Sequence, residues 1–396
     1  MSAKVQKNIR SVVINPLVSF VKVESAGGII LLLCAAVALV LANSSYASYY
    51  FSTLNLKFTV GFDFFNISKP ILLWINDGLM AIFFFVVGLE IKREVVEGEL
   101  STLKKAMLPA AAALGGMVVP ALFFVFFNKG GEAASGWGIP MATDIAFALG
   151  ILSLLGKNVP IALKVFLTAL AIVDDLGAVL VIAFFYTDSI SVISLIVGAV
   201  TYGVLLWGGN KKIMSVGFYL FFGIILWVAI LKSGVHATIG GVLLATVIPV
   251  KPLLKDLEHQ LHPWVAFMIM PVFALANAGV TIAGSLSEIL MSPVALGIIT
   301  GLLFGKQIGI TLFSWITVKL GWAELPTGMS IKSIYGVSWL AGVGFTMSLF
   351  IAGLAFPGSE TLLDYSKISI FTASILSGLA GFVILKLYYN KKARTA

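Results

Sequence analysis

Twelve stretches of mostly apolar residues recur along the 396-residue chain, beginning near Gly27, Ile71, Ala106, Gly138, Ile161, Ile190, Ile213, Val235, Pro263, Pro293, Ile334 and Ile368. A helix needs ~20 such residues to cross ~30 Å of hydrocarbon. In lipid the backbone must satisfy its own hydrogen bonds, so stretches of this length fold as helices. Only 11% of the residues are charged and 59% are hydrophobic, whereas about a quarter are charged in soluble proteins. The expected fold class is therefore all-α and multi-pass, with twelve transmembrane helices.

The Lys and Arg positions orient these spans, because cytoplasmic flanks retain positive charge. With the amino terminus inside, 18 of the 26 cations fall in inside segments and five in outside loops. Both termini are expected in the cytoplasm. The net charge of +8 is then a topology signal, and no basic, aromatic-laced patch points to nucleic acid. Residues 1–26 carry Lys4, Lys7, Arg10 and Lys22 among apolar residues, with no small-residue cleavage site, and read as an interfacial helix that is not a cleaved signal. Residues 27–388 then form a single transmembrane domain, and 389–396 a cytoplasmic tail. The single cysteine, Cys34, can form no intrachain disulfide, and the sequons at Asn43 and Asn66 are expected to stay unmodified.

Between the first two spans, Leu54, Leu56, Phe58 and Val60 alternate with Asn55, Lys57 and Thr59, and Gly61-Phe62-Asp63 leads into Phe65-Asn66-Ile67-Ser68. This period of two predicts a small external β-hairpin over about 52–69. A lone hairpin is marginal in water, so pairing with its copy in a second subunit is the expected partner contact. Two spans look interrupted. In the fourth, Pro140 precedes Thr143 and Asp144, residue types that cap helix starts. In the eleventh, Gly342, Gly344 and Thr346 stand where a plain span carries leucines. Paired interruptions in two halves point to a transporter site at the midplane, with spans 3–5 and 10–12 as inverted-topology repeats. The symmetry rests on this pattern, since the residues themselves show no repeat.

Few ionisable residues fall inside the spans: Asp77, Asp144, Asp174, Asp175, His236 and Lys306, with Lys164 and Lys386 close enough to the inner surface to snorkel. Each Asp costs about 2.5–3.5 kcal/mol at a span's centre on insertion scales, so the Asp174-Asp175 doublet strongly opposes insertion unless compensated. Asp174 and Lys306 each lie 13 residues into their runs, ~20 Å deep at 1.5 Å per residue. Acid and base share a plane. Neighbours on a helix point about 100° apart, so one aspartate can meet Lys306 while the other faces water or an ion. Burial disfavours a lone carboxylate charge, and hard cations such as Na⁺ or Li⁺ take carboxylate, hydroxyl and carbonyl oxygens. Protons and cations would compete for the same atoms, with Na⁺ at Asp174 and Asp175 and with Thr143 in support. A stabilising ion pair remains the plainer reading for Lys306, and for Asp144 a helix-end counter-charge stands level with a ligand role.

Near the expected inner surface, Glu90, Lys92, Arg93, Glu94, Glu97 and Glu99 follow span two, and Lys255, Asp256, Glu258, His259 and His262 precede span nine. These groups could sense internal pH, His being closest to neutrality, or form an ordinary solvated surface. Gly305-Lys306 fails as a phosphate loop because Thr300 and Gln307 occupy two of its defining positions. No cofactor site is visible. Gly297, Gly301, Gly305 and Gly309 read better as a ridge that lets another helix approach closely.

Ala142-Thr143-Asp144-Ile145-Ala146-Phe147-Ala148 and Ala171-Ile172-Val173-Asp174-Asp175-Leu176-Gly177 resemble segments of the NhaA family of bacterial sodium/proton antiporters. The likeness extends through Trp74-Ile75-Asn76-Asp77, Gly88-Leu89-Glu90, Lys232 to Ala237, Leu261-His262-Pro263-Trp264, Gly305-Lys306 and Gly342 to Ser348, nearly the whole chain. That family is itself a standard illustration of inverted repeats with broken helices, so the resemblance carries that part of the architecture too. It implies a secondary transporter of the bacterial inner membrane, not an enzyme, exchanging Na⁺ or Li⁺ electrogenically for protons and regulated by pH. It implies Asp175 as principal ion ligand, Asp174 as a proton carrier alternating with Lys306, Thr143 and Asp144 at the crossing, and Asp77 as a cavity acid. It links Glu90, Arg93, Glu94, His236, Lys255, Glu258, His259 and His262 to the pH response, and the hairpin to a homodimer. Gln307 stands where the best-known member is expected to carry proline, which leaves the helix geometry there open.

Three other classes compete. An intramembrane aspartyl protease needs two carboxyls facing each other across about 3 Å, which adjacent residues of one helix do not do. A sodium-coupled symporter for an organic solute would need a large pocket. A light-driven pump with Lys306 as Schiff base would have seven helices.

Overall fold

A computed structural model describes residues 15–62, 65–156, 159–187, 190–282 and 285–395. The first fourteen residues of the expected interfacial helix, the hairpin tip at 63–64 and the last residue of the tail lie outside them. In chain order come α1 (Asn15–Ala42), α2 (Ala47–Asn55), β1 (Lys57–Phe62), β2 (Phe65–Pro70), α3 (Ile71–Glu97) and α4 (Leu103–Phe127). A 3₁₀ segment (Glu132–Met141) leads to α5 (Ile145–Leu154), then α6 (Ile161–Phe185), α7 (Val192–Asn210), α8 (Val216–Leu231) and α9 (Thr238–Val247). The rest is α10 (255–277), α11 (Leu286–Leu290), α12 (Pro293–Lys319), α13 (Ile331–Ala341), α14 (Phe345–Ala355) and α15 (Glu360–Thr395).

Among the described residues seven helices are long and apolar enough to cross a membrane, and nine when the bent pairs α1/α2 and α13/α14 each count as one. The chain is a multi-pass membrane protein. The remaining three of the twelve expected spans correspond to α8, α9 and α10, of which α8 has 16 residues and α9 has 10. The helix of α1 begins at Asn15 and runs unbroken through residue 26, where an interfacial segment was expected to give way to a span.

The hairpin forms with antiparallel register Phe58↔Lys69, Thr59↔Ser68 and Val60↔Ile67. Thr59 and Ser68 share a hydroxyl hydrogen bond at 2.7 Å across the pair. It is shorter than the alternation suggested, because Leu54 and Asn55 complete α2 and pairing starts only at Lys57.

Glycine determines where the central helices sit. A Cβ on Gly115 of α4 would strike the Gly309 carbonyl of α12, and one on Gly309 would strike the Gly115 carbonyl. One on Gly305 would lie 2.7 Å from Pro120 Cα, and one on Gly297 2.7 Å from Asn128 Nδ2. The ridge expected from the sequence thus seats α12 directly on the backbone of α4. Between Gly301 and Gly305 the helix widens to i→i+5 turns immediately before Lys306, a local expansion common near functional residues. A second widened turn, Ile75–Leu79, holds Asp77.

Candidate functional site

Two breaks meet at the centre. The chain leaves the 3₁₀ segment at Met141, extends through Ala142 and re-enters helix at Ile145, while α13 stops at Ala341 and α14 starts at Phe345 with a 52° bend. The Asp144 N–H donates to the Val343 carbonyl at 2.7 Å, so each break supplies a partner for the other's opened backbone. Gly344 permits this contact, since a Cβ there would stand 3.1 Å from the Ala142 carbonyl oxygen and collide with Ser348.

Asp144, 1% exposed, serves both helix starts. Its Oδ1 accepts from the Phe147 N–H at 3.1 Å, and its Oδ2 accepts from both the backbone N–H and the hydroxyl of Thr346. One carboxylate therefore faces the positive ends of α5 and α14. The opposite polarity is handled nearby. Thr143 Oγ1 donates to the Ala341 carbonyl at 2.9 Å, at the negative end of α13, and accepts from Lys306 Nζ at 2.9 Å.

Lys306 Nζ also donates to Asp174 Oδ2 at 2.8 Å, with both side chains almost wholly buried. The other oxygen of Asp174, Oδ1, has no hydrogen-bond partner among the described residues. Asp175, on the next face of α6, makes no hydrogen bond to a described residue and lines a cavity together with Thr143, Asp144, Thr346, Glu90 and His262. The cavity encloses about 40 Å³, room for a few waters and far below the ~300–1,000 Å³ of organic-ligand pockets. Its polar atoms are carboxylate and hydroxyl oxygens with one imidazole, the donor set of a hard cation that protons can displace.

The remaining residues expected at the site fall into separate groups. Asp77 is not among the cavity's lining residues. It accepts from Lys69 Nζ at 2.6 Å and lies 3.6 Å from His236 Nε2, while His236 Nδ1 meets Thr238 Oγ1 at 2.8 Å. The Glu90 carboxylate is 3.9 Å from His262 Nε2 at the cavity. Further along α3, Arg93 Nε donates to both Glu258 oxygens at 3.0 Å and Arg93 Nη1 pairs with Glu94 at 2.8 Å. Glu97 pairs with Lys251 at 2.8 Å and Lys255 at 2.6 Å. Burial pushes the Glu258 carboxyl above its usual range, with Arg93 opposing the shift. His259 points to the exposed side of α10, unlike His262.

Sequence reasoning left Thr346 and Lys69 out of the site. Thr346 carried a usable signal, a hydroxyl two residues beyond a glycine at a helix start. Lys69 carried none, because its pairing depends on how the hairpin folds onto α3.

Broken helices that cross inside a multi-pass bundle, around a buried acid pair and one lysine, define the class of ion-coupled membrane transporters. Residues 18–385 match the family described as Na⁺/H⁺ antiporter 1. Relatives named Na⁺/H⁺ antiporter NhaA include that of Sulfurovum sp. (strain NBC37-1), 49% identical over 95% of this chain and 99% of that protein. Those of Aeromonas salmonicida (51%, 93% of this chain and 95% of that protein) and Clostridium beijerinckii (51%, 96% and 98%) are equally similar. The chain belongs to the NhaA family of Na⁺/H⁺ antiporters, and is accordingly a secondary transporter and not an enzyme.

Proposed function

We propose that this protein extrudes Na⁺, and Li⁺ by the same chemistry, from the bacterial cytoplasm across the inner membrane in exchange for a larger number of external protons. The observation that carries the reading is the contrast within the doublet: Asp174 is held by Lys306 while Asp175, with no hydrogen bond among the described residues, faces a small, largely apolar cavity that a few carboxylate and hydroxyl oxygens enter. A cation entering that cavity finds Asp175 first. Its charge then competes with Lys306 and with protons for Asp174, and the two cargoes alternate because both need the same oxygens. A cavity this small suits a nearly bare ion and does not suit an organic co-substrate.

In this reading all twelve stretches cross the membrane, with spans 3–5 and 10–12 as inverted repeats and both termini inside. The short helices α8 and α9, and α10 from Pro263 onward, supply the three spans beyond the nine that are both long and apolar enough. Asp144 and Thr143 keep the crossing intact in both access states. Glu90 and His262 at the cavity, Arg93, Glu94, Glu258 and Lys255 beyond it, His259 on the exposed side, and Asp77 with His236 at their own cluster adjust access to internal pH. The hairpin, whose first strand is exposed along its length, pairs with its copy in a second subunit.

Proteoliposomes test the reading. Wild-type protein should move protons on addition of Na⁺ or Li⁺ and respond to an imposed voltage. Asp175→Asn should reduce that movement at least 100-fold while the protein still inserts, and normal exchange in that variant would reject the assignment.

A further inference from the structure

Lys306 turns one face of α12 to the acid pair, but the polar residues that follow it belong to another face. Gln307, Thr311 and Ser314 are spaced i, i+4, i+7 and so share one side of the helix. Gln307 is 3% exposed and Ser314 fully buried. Gln307 Nε2 donates to Ser377 Oγ of α15 at 3.4 Å, Ser377 Oγ donates to the Trp339 carbonyl of α13 at 2.6 Å, and Thr311 Oγ1 lies 3.5 Å from Ser338 Oγ of α13. Three helices thus meet along a polar seam. None of these six residues lines the cavity at Asp175.

Seven buried side-chain polar atoms lack a hydrogen-bond partner among the described residues, and four of them, Gln307 Oε1, Ser314 Oγ, Trp339 Nε1 and Tyr389 Oη, belong to the helices of this seam. An unmade buried hydrogen bond costs ~1–3 kcal/mol, and buried polar groups in folded proteins are almost always satisfied by protein or by water. Each of these groups, an amide oxygen, a hydroxyl or an indole N–H, is one that ordered water commonly satisfies in an interior. At its deep end the seam touches the break. A Cβ on Gly342 would stand 3.0 Å from Gln307 Nε2, and the preceding residue, Ala341, accepts from Thr143, the residue that accepts from Lys306. At the other end Ser330 caps α13 and meets the Tyr388 hydroxyl at 2.8 Å.

We propose that ordered water occupies this seam and gives protons a route between the inner surface and Lys306 that is separate from the cavity serving Asp175. Hydroxyls and waters can each accept one proton while passing on another. Gln307 and Trp339 cannot relay in this way, so they orient the water and do not carry the proton. This inference rests on the antiport reading and deepens it: cation and proton would approach the same acid pair from two sides.

Two measurements on the full-length protein test it. X-ray footprinting of the wild type should oxidise Trp339, which is half-buried, well above the rate its partial exposure gives, and Ser314→Val should lower that labelling several-fold. Labelling of Trp339 no higher than its partial exposure gives, unchanged by Ser314→Val, overturns the proposal whatever the transport behaviour. In proteoliposomes Ser314→Val and Gln307→Met should lower kcat about tenfold with the KM for Na⁺ within twofold, in protein whose insertion and thermal midpoint are measured alongside. Unchanged kcat in both inserted variants also overturns it and leaves the antiport reading standing, since wild-type exchange tests that reading by itself.

Discussion

Two sets of ion pairs of similar length lead different lives in this molecule. Lys306 and Asp174 are 2.8 Å apart with side-chain exposures of 0% and 1%, whereas Arg93 and Glu258, at 3.0 Å, are 32% and 14% exposed. The buried pair is almost a closed couple, with Thr143 the one further acceptor for Lys306 among the described residues. The other set is redundant: Arg93 serves Glu94 as well as Glu258, and Glu97 serves both Lys251 and Lys255. In a low-dielectric interior a charge that loses its partner is costly, while in a wet network another partner or water replaces it. On the proposed reading the buried pair is the one poised for exchange, because a proton or cation relieves a separated Asp174. The network acts as a clamp between α3 and α10, the helices that bring Glu90 and His262 to the cavity.

Removing one buried partner should give the largest effect. Lys306→Met leaves Asp174 without its cation and should cost about 3–5 kcal/mol of stability, read by denaturation of the purified protein. The double variant Lys306→Met/Asp174→Asn should recover most of that loss, because it removes the uncompensated charge as well as its partner. If the single variant is as stable as wild type, Lys306 is not the group that makes Asp174 tolerable, and the contrast with the outer network falls. Thr143→Val comes next. It removes an acceptor for Lys306 and a donor to Ala341 together, an expected loss of about 1.5–3 kcal/mol for a hydrogen bond involving a charged group, with the apparent affinity for Na⁺ changed in the same variant.

The same contrast explains what could be read from the sequence. Asp174, Asp175, Asp144 and Lys306 stand out because lipid-spanning runs tolerate so few charges, and Pro140, Thr143 and Gly342 mark the breaks because each disfavours an uninterrupted helix. What the residues alone left open was pairing. Helix geometry says that only one of two adjacent aspartates can face Lys306, and the choice of Asp174 depends on where the Gly301–Gly309 ridge seats α12 against α4. The partner of Thr346 was open for a related reason, since its bond to Asp144 exists only once the two breaks cross. The Lys69–Asp77 pair is set by the hairpin's register on β2 and by the widened turn of α3, neither of which side-chain periodicity encodes. Alternation overran the hairpin at Leu54 because a short helix end and a strand start look alike over three residues.

Within the outer network the effects should be smaller and of a different kind. Arg93→Gln removes a partner of two acids that is 32% exposed, and the expected loss is roughly 0.2–1 kcal/mol. It should shrink further in high salt, which screens exposed charges; a loss as large as that of Lys306→Met, insensitive to salt, would erase the distinction between the two regions.

The smallest effect concerns pH. Burial holds the Glu258 carboxyl above its usual range despite Arg93 beside it. An acid whose pKa is raised on folding contributes stability below its unfolded value, near 4.3 for Glu, and gives that contribution up as pH rises through the folded value. Wild-type protein should therefore lose a little thermal stability as pH climbs from about 4.3 into the mildly acidic range. Glu258→Gln, which cannot ionise, should show a flatter profile over that window while keeping a hydrogen-bond acceptor for Arg93. Thermal denaturation across a pH series reads the difference. A variant whose profile steepens instead would mean that ionised Glu258 is favoured by the fold, placing the Arg93–Glu258 pair with the tightly coupled charges of the centre and not with the wet network around it.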